Sequence, residues 1–201
     1  MLIAGFSEFL IIISLIWVTV QQPFSKHFPF RALLLMCLII TGTAASLGVI
    51  KYLMTVNIQE AHSIMTYASK HLAMPFMCLL TLYHLNKTFA QSRAINLSVL
   101  ILTVLSLVSF TLNAWYALSF ISDAAIIGSL IIAMYASRHS PRIVLYLGLG
   151  IVCLSSTILW GPIIQDDNLR IGAFHGVVAL FFFFLGLTYQ AIKPVKISHQ
   201  T

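Results

Sequence analysis

Glu8, Lys51, Lys70, His71, Asp123 and His175 stand inside runs of apolar residues, where ionisable side chains are rare. Each such group costs about 2.5–3.5 kcal/mol to place in hydrocarbon, so a chain that keeps several marks them as functional candidates. Two carboxylates and two ammonium groups offset each other, with the imidazoles as neutral donors and acceptors. These six residues are the candidate lining of a polar ligand pocket. His71, His175 and Asp123 are the candidates among them for acid–base catalysis. His62, His71 and His175 could supply the three protein ligands that a catalytic zinc takes while its fourth position stays open. Nothing in their spacing shows that they converge, and no cofactor is predicted beyond that zinc alternative. The stretch KHLAMP adds a backbone feature, because Pro75 cannot donate to the carbonyl of His71 four residues earlier.

The elements that must position these residues follow from composition. Of 201 residues, 60% are hydrophobic and 8% charged, and the mean hydropathy is +0.98. A soluble domain carries about 25% charged residues, so most of this surface is expected to face lipid. One membrane domain, residues 1–201, uses the whole length. The net charge of +6 does not point to nucleic acid, because the basic residues are dealt out in pairs along the chain. The first segment has no basic region before its apolar run and no small-residue cleavage site, and reads as a retained helix.

A bilayer-spanning helix needs roughly 20 mostly apolar residues. Seven stretches qualify, at about 2–20, 32–53, 64–84, 95–113, 116–136, 143–163 and 171–190. The fold expected is an all-α, polytopic bundle of seven transmembrane helices. Lys26, Arg31, Lys87, Arg93, Arg138, Arg142, Lys193 and Lys196 then fall on one side, and Glu8, Glu60, Asp166 and Asp167 on the other or in its half. The positive-inside rule places the C-terminal tail in the cytoplasm and the N-terminus outside. Short loops fit a bacterial inner membrane. In this orientation the six ionisable residues all lie in the outer half, which implies one polar cavity opening outward and closed from the cytoplasm.

Structural alternatives exist for several of these groups. Lys51 can snorkel to the interface, Glu8 can be hydrated near the surface, and His175 can be a satisfied interhelical group. Asp123 has no long stem and cannot snorkel far. Small residues from Thr41 to Gly48, with Gly148, Gly150, Gly172 and Gly176, predict a tight core around the second, sixth and seventh helices. Trp115, Tyr116 and Trp160 are expected at outer interfaces, and Tyr83, Tyr135 and Tyr189 at inner ones. The run Phe181–Phe184 covers a full turn and must face both lipid and protein. Cys37, Cys78 and Cys153 lie in apolar runs without a CxxC, as buried small hydrophobes do.

Seven helices with this orientation, GTAASLGVIKY in the second and FHGVVALFFFF in the last, resemble the CREST membrane hydrolases. That superfamily includes the alkaline ceramidases and, inverted, the progestin and adiponectin receptors. The resemblance implies a zinc held by one histidine of the second helix and an HxxxH of the seventh, completed by a serine and an aspartate. Here Ile50 or Lys51 stands where the first histidine would be, and Ala179 where the partner of His175 would be. The expectation is no zinc, or a rebuilt site.

The function expected is an outward-facing pocket that binds a small or lipid-like ligand, in a sensor, receptor-like or accessory role, with membrane lipids as further partners. The alternatives are a CREST-like lipid amidohydrolase with an altered metal site, and a proton- or ion-coupled transporter. A transport pathway must cross both halves, and the inner half holds almost nothing ionisable.

Overall fold

In hydrocarbon every backbone N–H and C=O must be satisfied within its own segment or a closed barrel. The long apolar runs here resolve that demand as helices. The computed structural model describes residues 2–22, 31–54, 56–85, 97, 100, 101, 103–105, 108, 111, 112 and 115–192. The elements are α1 (Leu2–Gln21), α2 (Arg31–Leu53), α3 (Gln59–Ala68), a π-turn (Ser69–Ala73), α4 (Met74–Leu85), α5 (Trp115–Ala136), α6 (Pro141–Ile163) and α7 (Asp167–Ile192). No strand occurs among the described residues. The chain is all-helical, and α1, α2, the Ser119–Ala136 part of α5 and α7 are each long and apolar enough to cross a membrane.

Helix ends carry local signals. Asp166 Oδ1 accepts from the Leu169 backbone N–H at 2.8 Å, capping α7. Pro141 opens α6, where its missing N–H costs nothing. The region from Gln59 to Leu85 is helical throughout but not uniformly wound. Ahead of Pro75 it widens into the π-turn, and the Met74 N–H donates to the Ser69 carbonyl five residues back.

The helices close into a ring. Helix α1 packs on α2, α2 on α3, the π-turn and α4, those last two on α5, α5 on α6, α6 on α7, and α7 on α1. Facing residues fix the directions. Gly5 meets Leu53 and Gly48 meets Glu8, so α1 and α2 are antiparallel. Gly172 meets Ile3 and Gly186 meets Trp17, so α1 and α7 run the same way. His71 bonds Ser122, and Met74 shares a cavity with Ile126, so α4 and α5 also run the same way. Helical positions described between 97 and 111 include the exposed Leu97, Leu100, Ile101, Val104 and Val108.

The tight core differs from the one the small residues predict. Helices α2 and α6 do not touch among the described residues, and close backbone approach falls on α1 with α2 and α7. Gly48, Gly172 and Gly186 leave no room for a Cβ, whereas Gly176 has nothing within 4 Å. The GxxxG is thus used at one glycine only. The fourth span's remaining residues, the loops with Lys26, His27, Lys87 and Arg93, the tail with Lys193, Lys196 and His199, and the side chains of Trp115, Tyr116 and Trp160 lie outside the described residues.

The two ends of the ring are unlike. At the end reached by the C-termini of α4, α5 and α7, the interior is filled by Leu34, Met77, Leu80, Leu130, Phe181 and Phe182, each under 3% exposed. Tyr189 is fully buried there, its hydroxyl 2.9 Å from Thr81 Oγ1, and is not the interfacial anchor its sequence position suggests. Tyr135 is 68% exposed, and Phe183 faces outward while Phe181 and Phe182 face in. Outward-facing Leu2, Phe6, Ile16, Met36, Ile39 and Val152 give the ring an apolar exterior. Soluble monomers rarely expose so much contiguous apolar surface.

Candidate functional site

At the other end the interior is polar and incompletely filled. Glu8, two turns into α1, turns its carboxylate into the ring and is only 3% exposed. It rests where Gly48 of α2 has no side chain. Two imidazoles approach the same oxygen. His62 Nε2 of α3 lies 3.6 Å from Glu8 Oε1, and His175 Nδ1 of α7 lies 3.3 Å from it. His62 Nε2 is also 3.4 Å from Thr66 Oγ1, and its ring meets the edge of Tyr52. His175 Nδ1 is buried and its approach to Glu8 is off the direction of a hydrogen bond. One carboxylate oxygen is therefore shared by imidazoles of two helices, and a buried carboxylate is tolerable only with such partners.

Two cavities reach this cluster, and one more shares lining residues with both. One, of about 140 Å³, is lined by Glu8 and His175 together with Thr41, Thr66, Ser69 and Lys70. The second, of about 120 Å³, lies between α4, α5, α6 and α7 and carries Lys70 and Asp123 among apolar side chains. The third, of about 380 Å³, is lined by Tyr52, His62, Thr66, Thr157, Arg170 and His175 among others. Phe174 lines all three.

The π-turn explains how three successive residues reach three places. Ser69 Oγ donates to Thr41 Oγ1 on α2 at 3.1 Å, Lys70 lines two cavities, and His71 Nδ1 lies 3.0 Å from Ser122 Oγ on α5. Such turns are frequent at functional sites. The His71–Ser122 contact has the reach of a base and a nucleophile. Both are buried, at 5% and 0% exposure, and neither is among the residues lining the three cavities. The pair ties the π-turn to α5 and lies away from the three cavities.

Of the residues singled out in the sequence, Glu8, Lys70, Asp123 and His175 line these cavities, with Asp123 exposed on α5. Lys51 lies instead over the Tyr52 ring, its Nζ 4.8 Å from the centroid. His71 faces Ser122 while His62 and His175 face Glu8, so the three histidines do not converge. No three His, Cys, Asp or Glu groups form a metal-binding arrangement among the described residues. Ala179, at the position where an HxxxH would place its second ligand, is buried in the apolar core. Phe174, Arg170, Tyr52 and Thr157 have no signal in the sequence that would set them apart.

The arrangement offers a ligand hydrogen-bonding groups at the cluster, one ammonium and an apolar wall. Thr66, whose hydroxyl lies 3.4 Å from His62 Nε2, lines two of the cavities. Comparison with protein-family models, with curated proteins and with solved structures finds no match to this chain.

Proposed function

We propose that the chain crosses the membrane seven times, N-terminus outside and C-terminus in the cytoplasm, and binds a small or lipid-like ligand in the outward-facing cavities around Glu8. The observation that carries the reading is the buried Glu8 carboxylate, with His62 and His175 beside it, opening on a cavity lined by Lys70. A chain does not assemble a carboxylate, two imidazoles and an ammonium around unfilled space in hydrocarbon merely to pack.

The direction of the helices supports the crossing number. The parallel course of α4 and α5 supports one further crossing between them. The described positions from 97 to 111 are helical, as such a crossing requires. The parallel course of α1 and α7 supports an odd number. Positive residues at 138 and 142, beside the filled end, support a cytoplasmic position for that end. A plasma membrane suits this placement, and a sensor, receptor-like or accessory role suits a polar site built around unfilled space. The filled end speaks against a transport pathway.

Native mass spectrometry of the protein extracted with its surrounding lipid tests the reading. A bound species should accompany the wild-type chain and be lost in Val178→Trp, which fills the cavities that Val178 lines. A wild-type chain with no bound species, or one whose adduct survives that substitution, contradicts it.

A further inference from the structure

Lys70 is shared by the two smaller cavities and makes no ion pair among the described residues. The ion pairs among the described residues are Glu8 with His62, Glu8 with His175, and Asp167 with Arg170. None involves Lys70. Glu8 has two imidazoles within 4 Å, and Asp123 is exposed on α5. Lys70 is therefore a half-buried charge without an ion-pair partner among the described residues, and removing such a charge from water is costly.

Beside this ammonium the cavity wall changes character. Between α4, α5, α6 and α7 it is made by Met74, Ile126, Ile127, Leu154, Phe174 and Val178. A slot that is apolar apart from Lys70, Asp123 and Thr157 matches a ligand with a charged head and a hydrocarbon body. We propose that Lys70 seats the anionic head of a single-chain amphiphile whose chain lies against these apolar residues. This rests on the cavity-binding reading above and adds the chemistry of the ligand. Asp123 lines the same cavity, so neutralising Lys70 leaves the site net negative and turns it against an anion.

The head is a carboxylate or a phosphate, and the two are separable. The test uses Thr157→Cys, at the junction of two cavities, in a Cys153→Ser background. Cys37 and Cys78 are buried and stay unreactive. In phosphatidylcholine proteoliposomes a charged, impermeant methanethiosulfonate reagent is added outside, with laurate, dodecyl phosphate, dodecanol or dodecyltrimethylammonium. Laurate or dodecyl phosphate should slow modification by about ten-fold, the scale of one charge-assisted contact. The more protective of the two identifies the head. Dodecanol and the cationic amphiphile should not protect, Lys70→Met should abolish protection and Lys70→Arg should keep it. Equal protection by dodecanol or by the cation, or protection unchanged in Lys70→Met, overturns the assignment. Modification that no amphiphile slows overturns the headgroup alone. A Thr157→Cys that the reagent never reaches overturns the cavity-binding reading beneath it.

Discussion

The carboxylate of Glu8 on α1 occupies the space that a side chain at Gly48 on α2 would fill. The smallest residue of one helix thus makes room for the most costly residue of its neighbour. Gly48→Ala should destabilise the protein by about 1–3 kcal/mol, the usual range for overpacking. In a Glu8→Ala background the same change should cost much less, because the obstructing group is gone. Unfolding free energies of the four proteins of this double-mutant cycle measure the coupling. Additive effects would mean that the two residues do not meet.

Ser122 and His71 hold α5 against the π-turn by a 3.0 Å hydrogen bond. Ser122→Ala should lower stability by about 1 kcal/mol, the ordinary worth of such a bond. Because the pair is buried away from the cavities, Ser122 should not react with a fluorophosphonate. Stoichiometric labelling that vanishes in Ser122→Ala would make it a nucleophile and revive a hydrolase.

At the filled end, Thr81 and Tyr189 are bonded at 2.9 Å with both residues fully buried. Tyr189→Phe and Thr81→Val should each cost about 0.5–1.5 kcal/mol. The double variant should cost less than the sum, since one bond is lost only once. Modification of Thr188→Cys at this end by impermeant reagents should be negligible from either side. Thr188 is fully buried, and rapid modification would reveal a water path through the ring.

Phe174 lines all three cavities. Phe174→Ala should join them and raise the outside modification rate of Thr157→Cys by about ten-fold, at a stability cost of about 1–3 kcal/mol for a ring 41% exposed. An unchanged rate would mean that the ring does not divide the space.

What was legible in the sequence is what hydropathy can carry. Apolar runs mark the helices to within a few residues, as at 2–20 for Leu2–Gln21 and 32–53 for Arg31–Leu53. Position along a helix also follows, which is why Glu8, Lys70, Asp123 and His175 could be assigned to one end. Facing could not be read. Helices that are apolar all round carry no stripe to say which side looks inward, so the central place of α1 and the idleness of Gly176 had no signature. His62 reads as a residue at the edge of a loop, yet α3 begins at Gln59 and carries it inward to Glu8, fifty-four positions earlier in the chain. The π-turn was hidden for a related reason. Pro75 announces a disturbed backbone but not its form, and the form decides that Ser69, Lys70 and His71 part toward α2, the cavities and α5.

The sidedness of the polar end is decided by Ile171→Cys, in the largest cavity beside His175, placed in the Cys153→Ser background. An impermeant maleimide is applied to right-side-out and to inverted membrane vesicles. The expected result is modification in right-side-out vesicles only. Modification confined to inverted vesicles would put the Glu8 cluster on the cytoplasmic side and contradict an outward-facing site.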